Sequence, residues 1–91
     1  MAGQELRLDV SDLEPPEPLE RALEAISGLD DGDYVRMLHR RDPLLLYPIL
    51  QERGYRWLTR AGVEAPWEIL IWRDADVAAE RAARERLDAS A

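Results

Sequence analysis

The chain has 91 residues, 46 % of them apolar and 34 % charged, which is the composition of a single soluble globular domain. It contains no cysteine, so disulfides, thiolate metal sites and a cysteine nucleophile are excluded. Its net charge of −7 argues against a nucleic-acid partner, because proteins that bind nucleic acid normally present a basic face.

The first half of the chain predicts a strand and then a helix. Apolar and polar residues alternate over residues 5–10, which is typical of a half-buried strand. A double proline at residues 15–16 ends this pattern. From Glu17 apolar residues recur at helical spacing, and Gly28 is the expected stop.

A second strand and a second helix are predicted next. Residues 34–39 alternate as a strand does. Asp42 and Pro43 then predict the N-cap and the first residue of a helix that runs to Arg53. Pro48 lies inside this helix, and we expect it to end the first turn early or to kink the helix.

The remainder predicts two strands and a charged tail. The strands cover residues 55–60 and 67–73. Residues 74–91 are rich in alanine, arginine and acids, and they predict a helix that is frayed or solvent-facing rather than docked, because alanine buries little apolar surface. We therefore divide the chain into a domain over 1–73 and a tail over 74–91.

The element order is β-α-β-α-β-β, and two short helices can cover only one face of such a sheet. The other face would expose four large apolar side chains. These candidate interface residues are Leu38, Leu58, Leu70 and Trp72. An apolar patch of this size usually marks a contact surface, which motivates the hypothesis of a homodimer. The alternative is that the C-terminal segment folds back over the patch.

The segment around the double proline resembles the sulfur-carrier superfamily of TusA and SirA. The resemblance rests on Leu8-Asp9-Val10 and on Leu13-Glu14-Pro15-Pro16-Glu17-Pro18, together with the element order. In that superfamily a cysteine-proline-x-proline sequence opens the helix. Pro15 stands at the place of the cysteine, so the resemblance implies that the sulfur-relay activity is absent.

Residues 6–73 also resemble the cysteine-lacking branch labelled domain of unknown function 2249. The matching segments are Pro15-Pro16, Asp31-Gly32, His39-Arg40-Arg41-Asp42-Pro43, Leu46-Tyr47-Pro48, Glu52-Arg53-Gly54-Tyr55, Trp57 and Trp67-Glu68-Ile69-Leu70-Ile71-Trp72-Arg73. Many members carry one histidine after the double proline and another just before the aspartate-proline. This chain has Leu19 or Glu20, and Arg41, at those places, so the resemblance implies no metal site here.

The resemblance implies an α+β fold, a two-layer α/β sandwich whose four-stranded mixed sheet carries both helices on one face. It also implies that the first three strands run parallel and the fourth antiparallel to them. Both helix starts would then meet at one edge of the sheet, where open α/β sheets bind ligands. The candidate ligand-binding residues at this edge are Glu14, Pro15, Pro16, Glu17, His39, Arg40, Arg41, Asp42 and Arg60.

Each of these candidates has a second interpretation. Arg40 and Arg41, with the helix-start N–H groups, could hold a small anion, or they could form weak surface ion pairs with neighbouring acids. His39, the single histidine, could act as an acid or base or join carboxylates around a metal, or it could hydrogen-bond a neighbour. The double proline could form a recognition loop, although its structural role at the helix start explains it better.

We therefore expect a non-catalytic module that binds a partner protein or a small anionic ligand at this edge. One alternative is a metal-dependent or redox accessory protein that uses His39; another is an oligomerisation module that uses the open sheet face. No catalytic constellation is recognisable, and no cofactor is implied. The chain has no apolar run of membrane-spanning length and its first twenty residues lack a signal-peptide core, so we expect no membrane association and a cytoplasmic location.

Overall fold

The computed structural model of this chain describes residues 3–89. Within them the elements follow in the order β1 Glu5–Asp9, α1 Glu17–Ser27, β2 Tyr34–His39, α2 Leu46–Glu52, β3 Tyr55–Ala61, β4 Trp67–Arg73 and α3 Val77–Ala89. This order confirms the predicted α+β fold with a helical C-terminal segment. Residues 1, 2, 90 and 91, the ends of the predicted domain and tail, lie outside the described residues.

The four strands form one mixed sheet in the order β1-β2-β4-β3. β1 pairs in parallel with β2, whereas β4 pairs antiparallel with both β2 and β3. The first three strands therefore run in one direction and β4 in the other, as predicted. Because β1 and β2 are parallel neighbours, the loops that lead from them to α1 and α2 leave the sheet at the same edge.

The first face of the sheet is covered by α1 and α2, as predicted. Side chains alternate along a strand, so Val35 and Met37 of β2 and Ile69 and Ile71 of β4 point to this face and are fully buried. Six further buried side chains complete this core: Val10, Ala22, Ile26, Leu29, Leu46 and Leu50. It is the main hydrophobic core of the domain.

The second face of the sheet is covered by α3, which corrects the prediction of a frayed or solvent-facing tail. Ala79 and Ala83 are fully buried and pack with Tyr34, Leu70 and Trp72. The alanines of α3 contribute little apolar surface themselves. The sheet supplies the large apolar side chains, and two small residues four positions apart on one side of the helix let its backbone approach them closely.

Three of the four candidate interface residues, Leu58, Leu70 and Trp72, pack in the cluster under this helix, and the fourth, Leu38, is also buried. Leu38, Leu70 and Trp72 are at most 1 % exposed, and Leu58 is partly buried. Of the two alternatives for this patch, the structure shows the second: the C-terminal segment folds back over it. The argument for a homodimer or an oligomerisation module through this face therefore fails.

Asp76 fixes the start of α3 to the sheet. Its Oδ1 accepts a hydrogen bond from the Ala79 N–H at 3.1 Å, which is the bond of an N-cap residue. Its Oδ2 accepts a hydrogen bond from the Gly32 N–H at 2.8 Å, in the turn before β2. Gly32 has a φ of +84°, a conformation that glycine adopts without strain. One carboxylate thus caps the helix and joins it to a turn 44 residues away in the chain.

We expect Asp76→Ala to lower the free energy of unfolding by about 1–2 kcal/mol, because the helix loses its cap and the Gly32 N–H its acceptor. Asp74→Ala, at a nearby exposed residue, is the matched control and should change it by less than about 0.5 kcal/mol. Urea unfolding measures both. Equal losses in the two variants would contradict the capping role of Asp76.

The same carboxylate gives the stability a pH dependence. The hydrogen bond from Gly32 is the main cause that lowers the pKa of Asp76 below its usual value. The contribution of the Asp76 carboxylate to the free energy of unfolding is therefore complete above the unfolded-state pKa, about 3.9. It is lost as the pH falls through the lower folded-state pKa.

Candidate functional site

The loops that follow β1 and β2 meet at one edge of the sheet. The Val10 N–H donates to the Leu38 carbonyl at 2.9 Å, which extends the β1–β2 pairing to that edge. A further bond, from the Leu13 N–H to the Val10 carbonyl at 3.1 Å, turns the chain toward α1. The structure thereby brings the double proline close to the segment that begins at His39.

A cavity of about 320 Å³ lies between these two loops. Met37 and His39 reach it from the end of β2. Its lining residues are Leu13, Pro15, Pro16, Pro18, Leu19, Met37, His39, Arg40, Arg41, Asp42, Pro43, Leu44, Leu45 and Leu46. Its wall is therefore mostly apolar, with a short polar segment at residues 39–42. Six of the nine candidate ligand-binding residues are among the lining residues: Pro15, Pro16, His39, Arg40, Arg41 and Asp42.

His39 is 8 % exposed, and its two ring nitrogens have different environments. Nδ1 accepts a hydrogen bond from the Arg41 backbone N–H at 3.3 Å. Nδ1 therefore carries no proton, and the proton of the neutral ring is on Nε2. Nε2 has no hydrogen-bond partner within residues 3–89. The ring can thus present an N–H donor to the cavity that it lines.

Burial, together with the charge of Arg41, lowers the pKa of His39 below its usual value of 6.5. We expect an NMR titration of the imidazole to have its midpoint below pH 6.5. The unfolded chain then binds more protons than the folded one, so stability falls as the pH drops through 6.5 toward the folded-state pKa. His39→Gln should remove this part of the pH dependence. A midpoint at or above 6.5 would contradict it.

The two neighbouring arginines differ in their surroundings. Arg40 pairs with Glu14 through its guanidinium group, which is the surface ion pair that the sequence left open as an alternative. Arg41 is exposed and lies in no ion pair with a carboxylate of residues 3–89. Glu14 and Glu17 do not line the cavity. Arg41 is therefore the cation of this edge that can pair with a ligand.

α2 begins at Leu46, later than the predicted start at Asp42 and Pro43. The Leu46 N–H donates to the Pro43 carbonyl at 2.9 Å in a turn that precedes the helix. The Asp42 carboxylate does not cap the helix, because its Oδ1 accepts the Tyr47 hydroxyl at 2.6 Å. Pro48 is then the third helical residue, whose N–H would have no partner within the helix, so it neither shortens nor kinks it.

Tyr47 holds this turn against β3. Its ring stacks on Trp57 with centroids 5.2 Å apart, and its oxygen lies 2.7 Å from Thr59 Oγ1. Burial and the hydrogen bond to Asp42 raise the pKa of Tyr47 to about 12, so the hydroxyl keeps its proton at neutral pH. The lip of the cavity is thereby fixed to the sheet.

Arg60 lies away from the cavity, which corrects its inclusion among the candidates. Its Nε donates to Glu68 Oε1 at 2.5 Å and its Nη1 to the Leu87 carbonyl of α3 at 3.1 Å. The physical reason is the period of a strand: Arg60 is two residues from Leu58 and shares its face, the one under α3. Its strand is also separated from β2 by β4.

Sequence reasoning missed the apolar lining of the cavity. Leu44 and Leu45 are 67 % and 81 % exposed at its mouth, whereas Leu46 is buried in the core. The available signal was the run of three leucines after Pro43, of which an amphipathic helix can bury only part. Exposed leucines beside a cavity are a feature of a binding surface rather than of a core.

A second cluster of charges was also missed, and it lies under α3. Arg36 and Glu68 are 5 % and 2 % exposed, and Arg36 Nε donates to Glu68 Oε2 at 2.5 Å. Arg36 Nη2 also contacts Glu64 at 2.8 Å, and Arg60 contacts the second oxygen of Glu68. In this Arg36–Glu68 cluster both oxygens of Glu68 and two nitrogens of Arg36 contact groups of opposite charge. This is the arrangement of a structural ion-pair network.

Metal ligands do not converge in this structure. Among residues 3–89 no group of three or more histidine, aspartate or glutamate side chains is placed to hold a metal ion. In particular, Glu14 is directed to Arg40, and Asp42 accepts the hydroxyl of Tyr47. No observation therefore favours the alternative in which His39 and nearby carboxylates form a metal-dependent or redox site.

Comparison with known proteins gives one match. The model of a family described as an uncharacterized conserved protein, DUF2249, matches residues 7–73. No curated protein and no solved structure matches the chain. The matched span includes most of β1, the other three strands, α1, α2 and the whole lining of the cavity, whereas α3 follows it. Within residues 3–89 no helix is long and apolar enough to cross a bilayer.

Proposed function

The chain belongs to the DUF2249 family, and from that premise we propose that it is a non-catalytic binding module that holds a small anionic ligand in the cavity between α1 and α2. The observation that carries the proposal is the cavity itself. It lies at the carboxyl ends of the parallel strands β1 and β2, between the loops that follow them. Its volume of about 320 Å³ is within the usual range for small-molecule sites, about 300–1,000 Å³.

The composition of the lining supports binding rather than catalysis. Most lining residues are leucine, proline or methionine, and none is a serine, threonine or tyrosine. His39 already uses Nδ1 as an acceptor, and Asp42 is engaged by Tyr47, so neither is arranged with a nucleophile. A mostly apolar wall with a few placed polar groups is typical of ligand recognition.

We also infer a distant relationship to the TusA and SirA sulfur carriers. The element order, the parallel β1–β2 pair and the double proline at the start of α1 support it. Pro15 then takes the place of the carrier cysteine, and it lines the cavity. The position that carries sulfur in those proteins would then be part of the wall of a ligand site in this chain.

Thermal unfolding of the full chain with a panel of small carboxylates, phosphate, thiosulfate and nucleotides tests the proposed function. A ligand at 100 times its Kd adds about 2.7 kcal/mol, which for a domain of this size raises Tm by on the order of 10 °C. Arg41→Ala should reduce the shift. Arg81→Ala, an exposed arginine on α3, is the matched control and should leave it unchanged. No shift with any anion, or equal reduction in both variants, would contradict the proposal.

A further inference from the structure

Resting on the proposed function, we propose that the ligand is an amphiphilic monocarboxylate. Its carboxylate is bound by the Nε2–H of His39 and by Arg41, and its hydrocarbon chain lies in the cavity and against Leu44 and Leu45. Three independent features of the cavity lead to this class of ligand: the state of the histidine, the balance of charges and the exposed leucines.

The histidine supplies one directed donor. His39 is more than nine-tenths buried, its Nδ1 is occupied by the Arg41 backbone N–H, and its Nε2 has no partner within residues 3–89. No group of residues 3–89 occupies Nε2, and this nitrogen is not itself fully buried, so the acceptor atom of a ligand can reach it and take the place of water there. The group that completes this site is therefore a hydrogen-bond acceptor, such as a carboxylate or carbonyl oxygen.

The charges around the cavity favour a single negative charge. Arg40 is neutralised by Glu14, so Arg41 is the cation that remains to pair with a ligand. The Asp42 carboxylate also lines the cavity, and the protein as a whole carries a net charge of −7. A dianion such as phosphate would meet repulsion from Asp42 that one arginine does not offset. A monoanion meets half of that repulsion, and Arg41 with the Nε2–H of His39 gives it one cation and one hydrogen-bond donor.

The leucines indicate the other end of the ligand. Leu44 and Leu45 project at the mouth of the cavity, and most of the wall behind them is apolar. Neither residue contributes to the core, since Leu46 is the member of the run that is buried. A hydrocarbon chain that extends from the carboxylate along the cavity would cover both leucines and remove apolar surface from water on both partners.

Titration calorimetry on the full chain tests this ligand class with hexanoate, octanoate and decanoate, and with octanol and octylamine as chain-matched controls. We expect the affinity for the carboxylates to rise by about fourfold per added methylene group. Octanol should bind more weakly than octanoate, and octylamine more weakly still. If affinity rises with chain length but octanol and octylamine bind as well as octanoate, the proposal that the site recognises a carboxylate is wrong. The cavity would then still be a binding site, for an apolar chain.

Two sets of variants locate the ligand. Leu44→Ser/Leu45→Ser changes exposed residues, so folding is not at risk, and it should weaken octanoate by about tenfold or more while hexanoate loses less. His39→Leu should weaken every carboxylate by about tenfold or more, and His39→Gln, which keeps an N–H donor, should restore part of this loss. Unchanged octanoate binding in the leucine variant would overturn the proposed path of the chain.

The two proposals can fail separately. If phosphate or a nucleotide raises Tm and the monocarboxylates do not bind, the cavity binds anions but the ligand class is wrong. If no anion of any class binds to the full chain, the proposed function and this inference are both wrong.

Discussion

Replacing Glu68 with alanine is expected to lower the free energy of unfolding by about 3–5 kcal/mol, the largest effect of any single substitution considered in this protein. Glu68 is 2 % exposed and receives hydrogen bonds from Arg36 and Arg60, each at 2.5 Å. Its removal leaves the buried Arg36 guanidinium without its nearest carboxylate. Removing one partner of a buried ion pair is strongly destabilising, because Arg36 then keeps only two more exposed carboxylates, Glu64 at 2.8 Å and Glu5 at 3.9 Å. Chemical unfolding followed by circular dichroism measures the loss.

Glu64 offers the matched control, because it contacts the same arginine from a half-exposed position. Its carboxylate lies 2.8 Å from Arg36 Nη2, and its side chain is 49 % exposed. Glu64→Ala should therefore cost much less than Glu68→Ala, since water replaces the lost carboxylate. Equal costs would show that burial does not decide the strength of these contacts, and the account of this cluster would fail.

The Arg36–Glu68 cluster also makes the stability of the fold decrease at low pH. Burial alone would raise the pKa of Glu68, but hydrogen bonds from Arg60 and Arg36 outweigh burial and lower it below its usual value. The stabilisation by the ionised Glu68 is therefore complete above the unfolded-state pKa of glutamate, about 4.3. It is lost as the pH falls through the lower pKa that Glu68 has in the folded protein. Because the cluster lies between the sheet and α3, acid should loosen this helix early.

Replacing Ala79 with glutamate is expected to detach α3 from the sheet. Ala79 is fully buried against the face that contains Leu70 and Trp72, so a charged side chain has neither space nor a partner there. Once detached, a helix of 13 residues is marginal in water, so its amide protons should exchange at the rate of an unstructured peptide. The uncovered apolar face should then cause self-association, which sedimentation measures.

The adjacent Ala78 provides the control for this experiment, because it is exposed on the same turn of α3. Ala78→Glu should leave both the amide exchange of α3 and the sedimentation of the protein unchanged. Slow exchange in the Ala79→Glu variant would contradict the docking of α3. Fast exchange in a protein that stays monomeric would show that the uncovered face does not act as a contact surface.

Local periodicity was sufficient to predict the four strands and the faces of their side chains, whereas the strand directions were implied by the family resemblance. The alternation of Val35 and Met37 with Arg36 and Leu38 assigned their faces correctly, because the period of two is a property of any strand. The same rule would have placed Arg60 on the face of Leu58. Its position at the end of a strand favours the helix-start edge only if the alternation of side chains between the two faces is left out.

The parts that could not be predicted depend on contacts between distant segments. Burial of Ala79 and Ala83 is decided by the large side chains opposite them in the sheet, not by the composition of the tail. The start of α2 is decided by Tyr47, whose hydroxyl takes the Asp42 carboxylate that local rules assign to a cap. In both cases a tertiary partner outweighs the local preference.

The candidate site was predicted in its place but not in its character. Parallel strands put the double proline beside His39, and the sequence identified both. The exposure of Leu44 and Leu45 was not predicted, because the local signals place them in a helix that in fact begins after them. The sequence predicts an anion-binding edge. The structure shows an apolar cavity at that edge, with polar residues at its rim.

The measurement that tests the binding cavity most directly is an amide NMR titration of the full chain with octanoate. We predict that shift changes concentrate in residues 13–19 and 39–46, and that the imidazole of His39 changes as well. Residues of α3 should stay unaffected, because they lie on the opposite face of the sheet. Changes centred on α3, or the absence of any change at millimolar octanoate, would contradict the account.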